Sequence, residues 1–131
     1  MSTQATGTFD IDSWETKPYD EHDGVTLTRT QVTKTFHGQL AGQSTAELLM
    51  ATAPDGSAAY VGFERIVCRI HERAGSFVLH HSATQSSGAQ SASWSIVPGT
   101  GTGELQGLRG EARIEATPDG QHTFTLDYHL G

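Results

Sequence analysis

Any chemistry in this chain would start from Glu64 and His81, because each occupies the apolar phase of a run in which polar and apolar residues alternate. Tyr60, Glu64, Ile66, Cys68 and Ile70 share one phase, and Phe77, Leu79 and His81 share another. In a strand, residues two apart lie on one face, so both ionisable groups are expected among apolar neighbours. Desolvation there raises a carboxylate's pKa and makes it a general base or acid near neutral pH. A histidine within reach either holds that carboxylate ionised or shares the proton transfer. Tyr60 and Tyr128 fall in the same inward phase and could donate hydrogen bonds to an enolate or carbonyl oxygen. Leu48, Met50, Phe77, Leu79, Trp94 and Phe124 would wall the cavity around them. The plainer alternative is a Glu64–His81 ion pair that ties neighbouring strands together, with the tyrosines as core residues whose hydroxyls reach a wet rim.

Other chemistries find less support. His80 and His81 point to opposite faces of one strand, no HExxH is present, and one cysteine cannot build a structural zinc centre, so neither metal nor other cofactor is expected. A serine nucleophile would want a GxSxG elbow, which is absent. Cys68 has no helix N-terminus to lower its pKa and reads as a small core residue. The glycine-rich stretch Pro98–Gly110 lacks the Gly-Lys-Ser/Thr ending of a phosphate loop. Its glycines suit tight bends that close a barrel, with Arg109 anchored inside against Glu104 or Glu111.

The elements that must position these residues are strands. Turn signals recur at Asp23-Gly24, Gly38, Gly42, Pro54-Asp55-Gly56, Ala74-Gly75, Ser87-Gly88, Pro98-Gly99 and Pro118-Asp119-Gly120. Between them lie runs rich in Thr, Val, Phe and Tyr, which predicts strands near 4–14, 25–37, 43–53, 58–71, 76–85, 89–97, 110–117 and 121–130. Eight strands joined mostly by hairpins make an all-β, antiparallel up-and-down barrel, and 131 residues suit a single such domain spanning 1–131.

The turns predict the pairing. A three-residue loop at Pro54-Asp55-Gly56 sets Thr52 opposite Ala58, Met50 opposite Tyr60 and Leu48 opposite Gly62. The similar turn at Pro118-Asp119-Gly120 pairs Ile114 with Phe124 and Ala112 with Leu126. A two-residue loop at Ala74-Gly75 would set Ile70 opposite Leu79 and Cys68 opposite His81, and one at Ser87-Gly88 sets His81 opposite Trp94. A one-residue slip at Ala74-Gly75 would exchange Glu64 for Arg65 beside His81. Val61 and Phe63 land on the outer face, where they could mark an interface in a homo-oligomer.

Composition excludes several partners. The formal charge of −7 with no basic stripe leaves no footprint for nucleic acid. No apolar run approaches the ~20 residues that span a bilayer, and Met1–Phe9 lacks the basic and apolar regions of a secretory signal, so no membrane partner is expected. One cysteine suits a reducing cytoplasm.

Four segments, Lys34-Thr-Phe-His-Gly38, Gly62-Phe-Glu-Arg-Ile66, Gly75-Ser-Phe-Val-Leu-His-His81 and Gly99-Thr-Gly-Thr-Gly-Glu-Leu-Gln-Gly-Leu-Arg-Gly-Glu111, together resemble a bacterial family of domains of unknown function. That family is similar in fold to plant allene oxide cyclases and dirigent proteins, so the resemblance implies an allene-oxide-cyclase-like eight-stranded barrel whose lumen holds an apolar molecule. It transfers no activity, because fold does not fix function. The expected function is therefore binding of a small hydrophobic ligand in the lumen. In its enzymatic form Glu64 is general base or charge stabiliser for an isomerase- or cyclase-like proton transfer, and His81 tunes it. A non-catalytic carrier and a structural, oligomerising barrel with a filled core are the alternatives.

Overall fold

Alternation of the kind just described folds, in a computed structural model that describes residues 3–131, into one closed sheet. The strands β1 (Thr3–His22), β2 (Val25–Gly38), β3 (Leu40–Thr52), β4 (Ala58–Ile70), β5 (Arg73–Ser86), β6 (Ala89–Ile96), β7 (Leu108–Ala116) and β8 (His122–Leu130) pair in chain order. Each is antiparallel to the next, and β8 returns to β1 to complete an eight-stranded up-and-down barrel.

Both Pro-Asp-Gly turns set the expected register, with Thr52 opposite Ala58, Leu48 opposite Gly62, Ile114 opposite Phe124 and Ala112 opposite Leu126. His81 lies opposite Trp94 as expected. The β4–β5 hairpin differs. Its turn is at His71-Glu72, not Ala74-Gly75, so Ile70 pairs with Arg73, Cys68 with Gly75, Glu64 with Leu79 and Gly62 with His81. The turn moves three residues towards the N-terminus, which changes each pairing by six residues. Because six is even, every side chain keeps its face.

Gly75 is a site of close approach rather than a turn residue. A Cβ there would sit 2.0 Å from the Thr102 carbonyl oxygen. The bend itself is made by His71, at φ 51°. The connection from β6 to β7 folds across this end of the barrel and seals it. Thr102 donates its N–H to the Ser76 carbonyl at 2.8 Å, Glu104 accepts from the Ala74 N–H at 3.0 Å, and the fully buried Leu105 of the 3-10 turn Gly103–Leu105 plugs the opening. Arg109 is exposed, not a buried anchor, because alternation from buried Leu108 turns it outward.

The opposite end is open. β6 pairs with β7 only through Trp94–Ala112 and Ser95–Glu111, and β8 reaches along β1 only to Phe9–His122. β1 continues to His22 against β2 alone, well past the expected residue 14. Both faces of that extension meet water, so it carries no apolar alternation to betray it. Its free edge is guarded by two register irregularities, at Ile11/Ser13 and Pro18/Asp20, together with Lys17, Pro18 and several carboxylates.

Gly75→Ala is expected to destabilise the protein by about 1–3 kcal/mol, since the new methyl can be relieved only by moving the Thr102 backbone. Urea titration of the variant against the parent measures this, and an unchanged midpoint would show that the seal is not held at Gly75.

Candidate functional site

The barrel interior falls into two halves. In the sealed half Phe77, Leu79 and Phe124 are essentially without exposure, and the Phe36 and Phe124 rings meet edge-on at 5.3 Å. Tyr128 also lies there, its ring 6.2 Å from His71, and burial pushes its phenol up against the opposing charge of Arg73. Cys68 packs in the same cluster, its thiol pushed up to about 12 by burial. Of the expected cavity wall, Phe77, Leu79, Phe124 and Tyr128 thus belong to filled core. Leu48, Met50, Tyr60 and Trp94 stand towards the open half.

Between the halves lies a polar layer. Glu64 on β4 is 0% exposed and His81 on β5 is 3% exposed. His81 Nε2 lies 2.7 Å from Glu64 Oε1, the same oxygen accepts from Lys34 Nζ at 3.3 Å, and Oε2 accepts from Ser44 Oγ at 2.5 Å. Sequence reasoning missed Lys34 and Ser44. The signal was present, since Val32, Lys34 and Phe36 share one face of β2, and Lys34 pairs directly with Ser44 across β2 and β3. Lys34 Nζ also stands 4.5 Å over the Phe9 ring.

Burial alone would raise the Glu64 pKa, as expected from its apolar surroundings. The His81 hydrogen bond, the Lys34 and His81 charges and the Ser44 hydroxyl outweigh it and hold the carboxyl below its ordinary value of 4.5. Glu64 is therefore ionised and accepts only. Nε2 of His81 must then be the protonated ring nitrogen, leaving Nδ1 without a hydrogen-bond partner among the described residues.

Above this layer opens a cup of about 420 Å³. Tyr60 and Trp94 form its floor, Met50 stands to one side, and Ala58, Ala83 and Ala92 keep its walls thin. Burial raises the Tyr60 pKa, partly opposed by the neighbouring Trp94 indole N–H and reinforced by the Glu64 charge. No hydrogen bond closes between the two rings. Trp94 Nε1 is, among the described residues, the fully enclosed side-chain polar atom left without a partner. No three of His, Cys, Asp and Glu among the described residues converge as a metal cage.

Lys34→Met strands the Glu64 carboxylate and is expected to cost about 3–5 kcal/mol at neutral pH. A carboxyl whose pKa is lowered on folding stabilises above its unfolded value and loses that contribution as pH falls through the folded value. The deficit of Lys34→Met should therefore shrink as pH falls and Glu64 protonates. Denaturant titrations across the acid range measure it, and a pH-independent deficit would place the cost of the substitution in packing.

A family model described as protein of unknown function (DUF3224) matches residues 5–128. A crystal structure of a DUF3224 protein of unknown function from Shewanella oneidensis MR-1 is 35% identical, covers 100% of this chain and 99% of its own, and superposes with a TM-score of 0.86. Among curated proteins, none matches. The match over nearly the whole barrel, polar layer included, shows that the chain belongs to the DUF3224 family of proteins of unknown function.

Proposed function

We propose that the protein binds a small, mainly apolar molecule carrying a carbonyl-type acceptor in the cup at the open end of its barrel. The observation that carries this reading is the unpartnered Trp94 Nε1. A buried donor without an acceptor costs about 1–3 kcal/mol, and a small turn of the Trp94 indole, whose ring already lines the cup, would let an acceptor on a ligand recover it. The cup's size suits a small molecule, and its alanine walls and aromatic floor suit an apolar one. Resemblance to plant barrels that hold apolar molecules points the same way.

The chemical form of this reading is an isomerase- or cyclase-like proton transfer, and its silent form is a carrier. Of the roles open to Glu64, its occupied oxygens and full enclosure favour charge stabiliser over base. A reducing cytoplasm suits the lone, buried Cys68, and no helix among the described residues is long and apolar enough to cross a membrane.

2-Tetralone, a rigid apolar ketone small enough for the cup, is a suitable probe. Equilibrium dialysis is expected to show saturable binding that Ala83→Leu abolishes by filling the cup. Trp94→Phe should weaken it about 2- to 10-fold, the worth of one neutral hydrogen bond. Binding that survives Ala83→Leu unchanged would put the ligand elsewhere.

A second reading concerns assembly, with another copy of this chain as partner. Leu49 and Val61 pair directly on the outer face of β3 and β4, next to Phe63, which is 58% exposed and stacks on His80. Arg29, Glu47 and Arg65 bring both signs of charge to the surround, which suits a surface meeting its own copy. Light scattering should give a mass above one chain, falling to one chain for Phe63→Lys; a monomeric parent would remove the interface.

A further inference from the structure

We propose that Gln85 and Gln90 form a polar clamp at the rim of the cup and select its ligand: a neutral, elongated molecule whose apolar body carries a hydroxyl at the end opposite its carbonyl. This rests on the binding reading above and adds to it the ligand's second polar group and the residues that recognise it.

The cup is built in rungs across β4, β5 and β6. Gly62, His81 and Trp94 stand side by side, then Tyr60, Ala83 and Ala92, then Ala58, Gln85 and Gln90. Successive rungs are two residues apart, so the third lies about 13 Å along the strands beyond the first. Bulk falls from the indole of the first rung to the alanines of the second, and at the third the two alanines give way to two glutamines. A two-residue turn holds that third rung in register. Ser86 pairs with Ala89, and Ser87 and Gly88 take φ 52° and 80°, the left-handed values that a type I′ hairpin requires at both central positions. The alternation that turns Ala83 and Ala92 inward therefore delivers two primary amides to the mouth of the cup, and both line it.

The two amides make one bond with each other, from Gln90 Nε2 to Gln85 Oε1 at 3.3 Å, and have no other side-chain partner among the described residues. Two amides carry two NH2 groups and two carbonyl oxygens. One bond between them leaves a donor and an acceptor side by side, whichever way each amide is turned. A hydroxyl fits this pair, because one oxygen accepts from the donor while its proton goes to the acceptor. An ether or ketone only accepts and leaves the clamp's oxygen unmet, and a carboxylate meets that oxygen with a like charge. The rest of the lining also requires a neutral guest. Met50, Thr52, Tyr60, Thr84 and Ser91 complete it with the alanines, and none of the described residues lining the cup is charged. An ionised end would lose its water there without a counter-charge.

Both glutamines are exposed, so water meets their amides while the cup is empty. Each bond to a ligand then adds only its net worth, about 2- to 10-fold in affinity. The rim is thus a selector among molecules that the apolar wall already holds, and the wall remains the main source of affinity.

The test compares 2-tetralone, 6-hydroxy-2-tetralone and 6-methoxy-2-tetralone by equilibrium dialysis, the last two carrying their second oxygen at the far end of the fused rings. The parent protein should hold the hydroxy ketone about 2- to 10-fold more tightly than 2-tetralone. The methoxy ketone, which cannot donate, should bind less tightly than the hydroxy ketone. In the double variant Gln85→Leu, Gln90→Leu the advantage of the hydroxyl should vanish while 2-tetralone still binds saturably, which shows that the variant is folded. Ala83→Leu, which fills the cup, should abolish binding of all three. Equal affinity of the parent for 2-tetralone and its hydroxy form would overturn the clamp and leave the cup standing. So would a methoxy ketone held as tightly as the hydroxy one, or a hydroxyl advantage that survives the double variant. If none of the three ketones binds, the reading beneath the clamp falls with it.

Discussion

A carboxylate enclosed at the middle of a barrel has to be paired, and the arrangement around Glu64 follows from that requirement. Its partners come from three other strands: Lys34 from β2, Ser44 from β3 and His81 from β5. Such a layer is not a strong source of stability, since well-packed apolar side chains would often do as well or better. What it contributes is specificity. A one-residue slip of any of these strands would turn its member of the layer outward and strand a buried charge, so four neighbouring strands are pinned in register by one group.

The layer also separates two regimes of packing. On one side Phe9, Phe36, Phe77 and Phe124 fill the bore and Leu105 closes it, leaving no room for a guest. On the other side the inward positions shrink to Ala58, Ala83 and Ala92 while β7 and β8 fall short, so the bore opens as a cup. The contrast is one of side-chain volume and strand length within a single sheet, needing no second domain to make a cavity. It also accounts for Trp14, which sits opposite Val32 yet is 52% exposed: β1 runs there beyond the barrel proper, with nothing across from it.

Much of this was legible in the sequence because strand periodicity is forgiving about turns. The Ala74-Gly75 signal put the β4–β5 turn three residues late, but a displacement that changes pairings by an even number preserves faces, so Glu64 and His81 still came out inside. What it lost was neighbourhood: Cys68 and His81 are not opposite, and the residue across from His81 is Gly62. Gly75 misled because a glycine reads the same whether it bends the chain or lets another backbone pass close by. Lys34 and Ser44 were passed over because a lysine or serine in a strand reads as solvent-facing. Only their place in the alternation, with Val32 and Phe36 on either side of Lys34, put them inside. How the barrel fills depends on strand overhang and bore, which no periodicity records, so Phe77, Leu79, Phe124 and Tyr128 could not be told from the residues of the cup.

The charge of the layer bears on what the cup can hold. Glu64 and Lys34 form an ion pair 3.3 Å apart whose charges cancel. A cancelled ion pair offers no net attraction to a carboxylate or phosphate, whose desolvation in the cup would go uncompensated. A carbonyl needs far less: one N–H from Trp94, whose unmet hydrogen bond is itself a cost to the empty barrel.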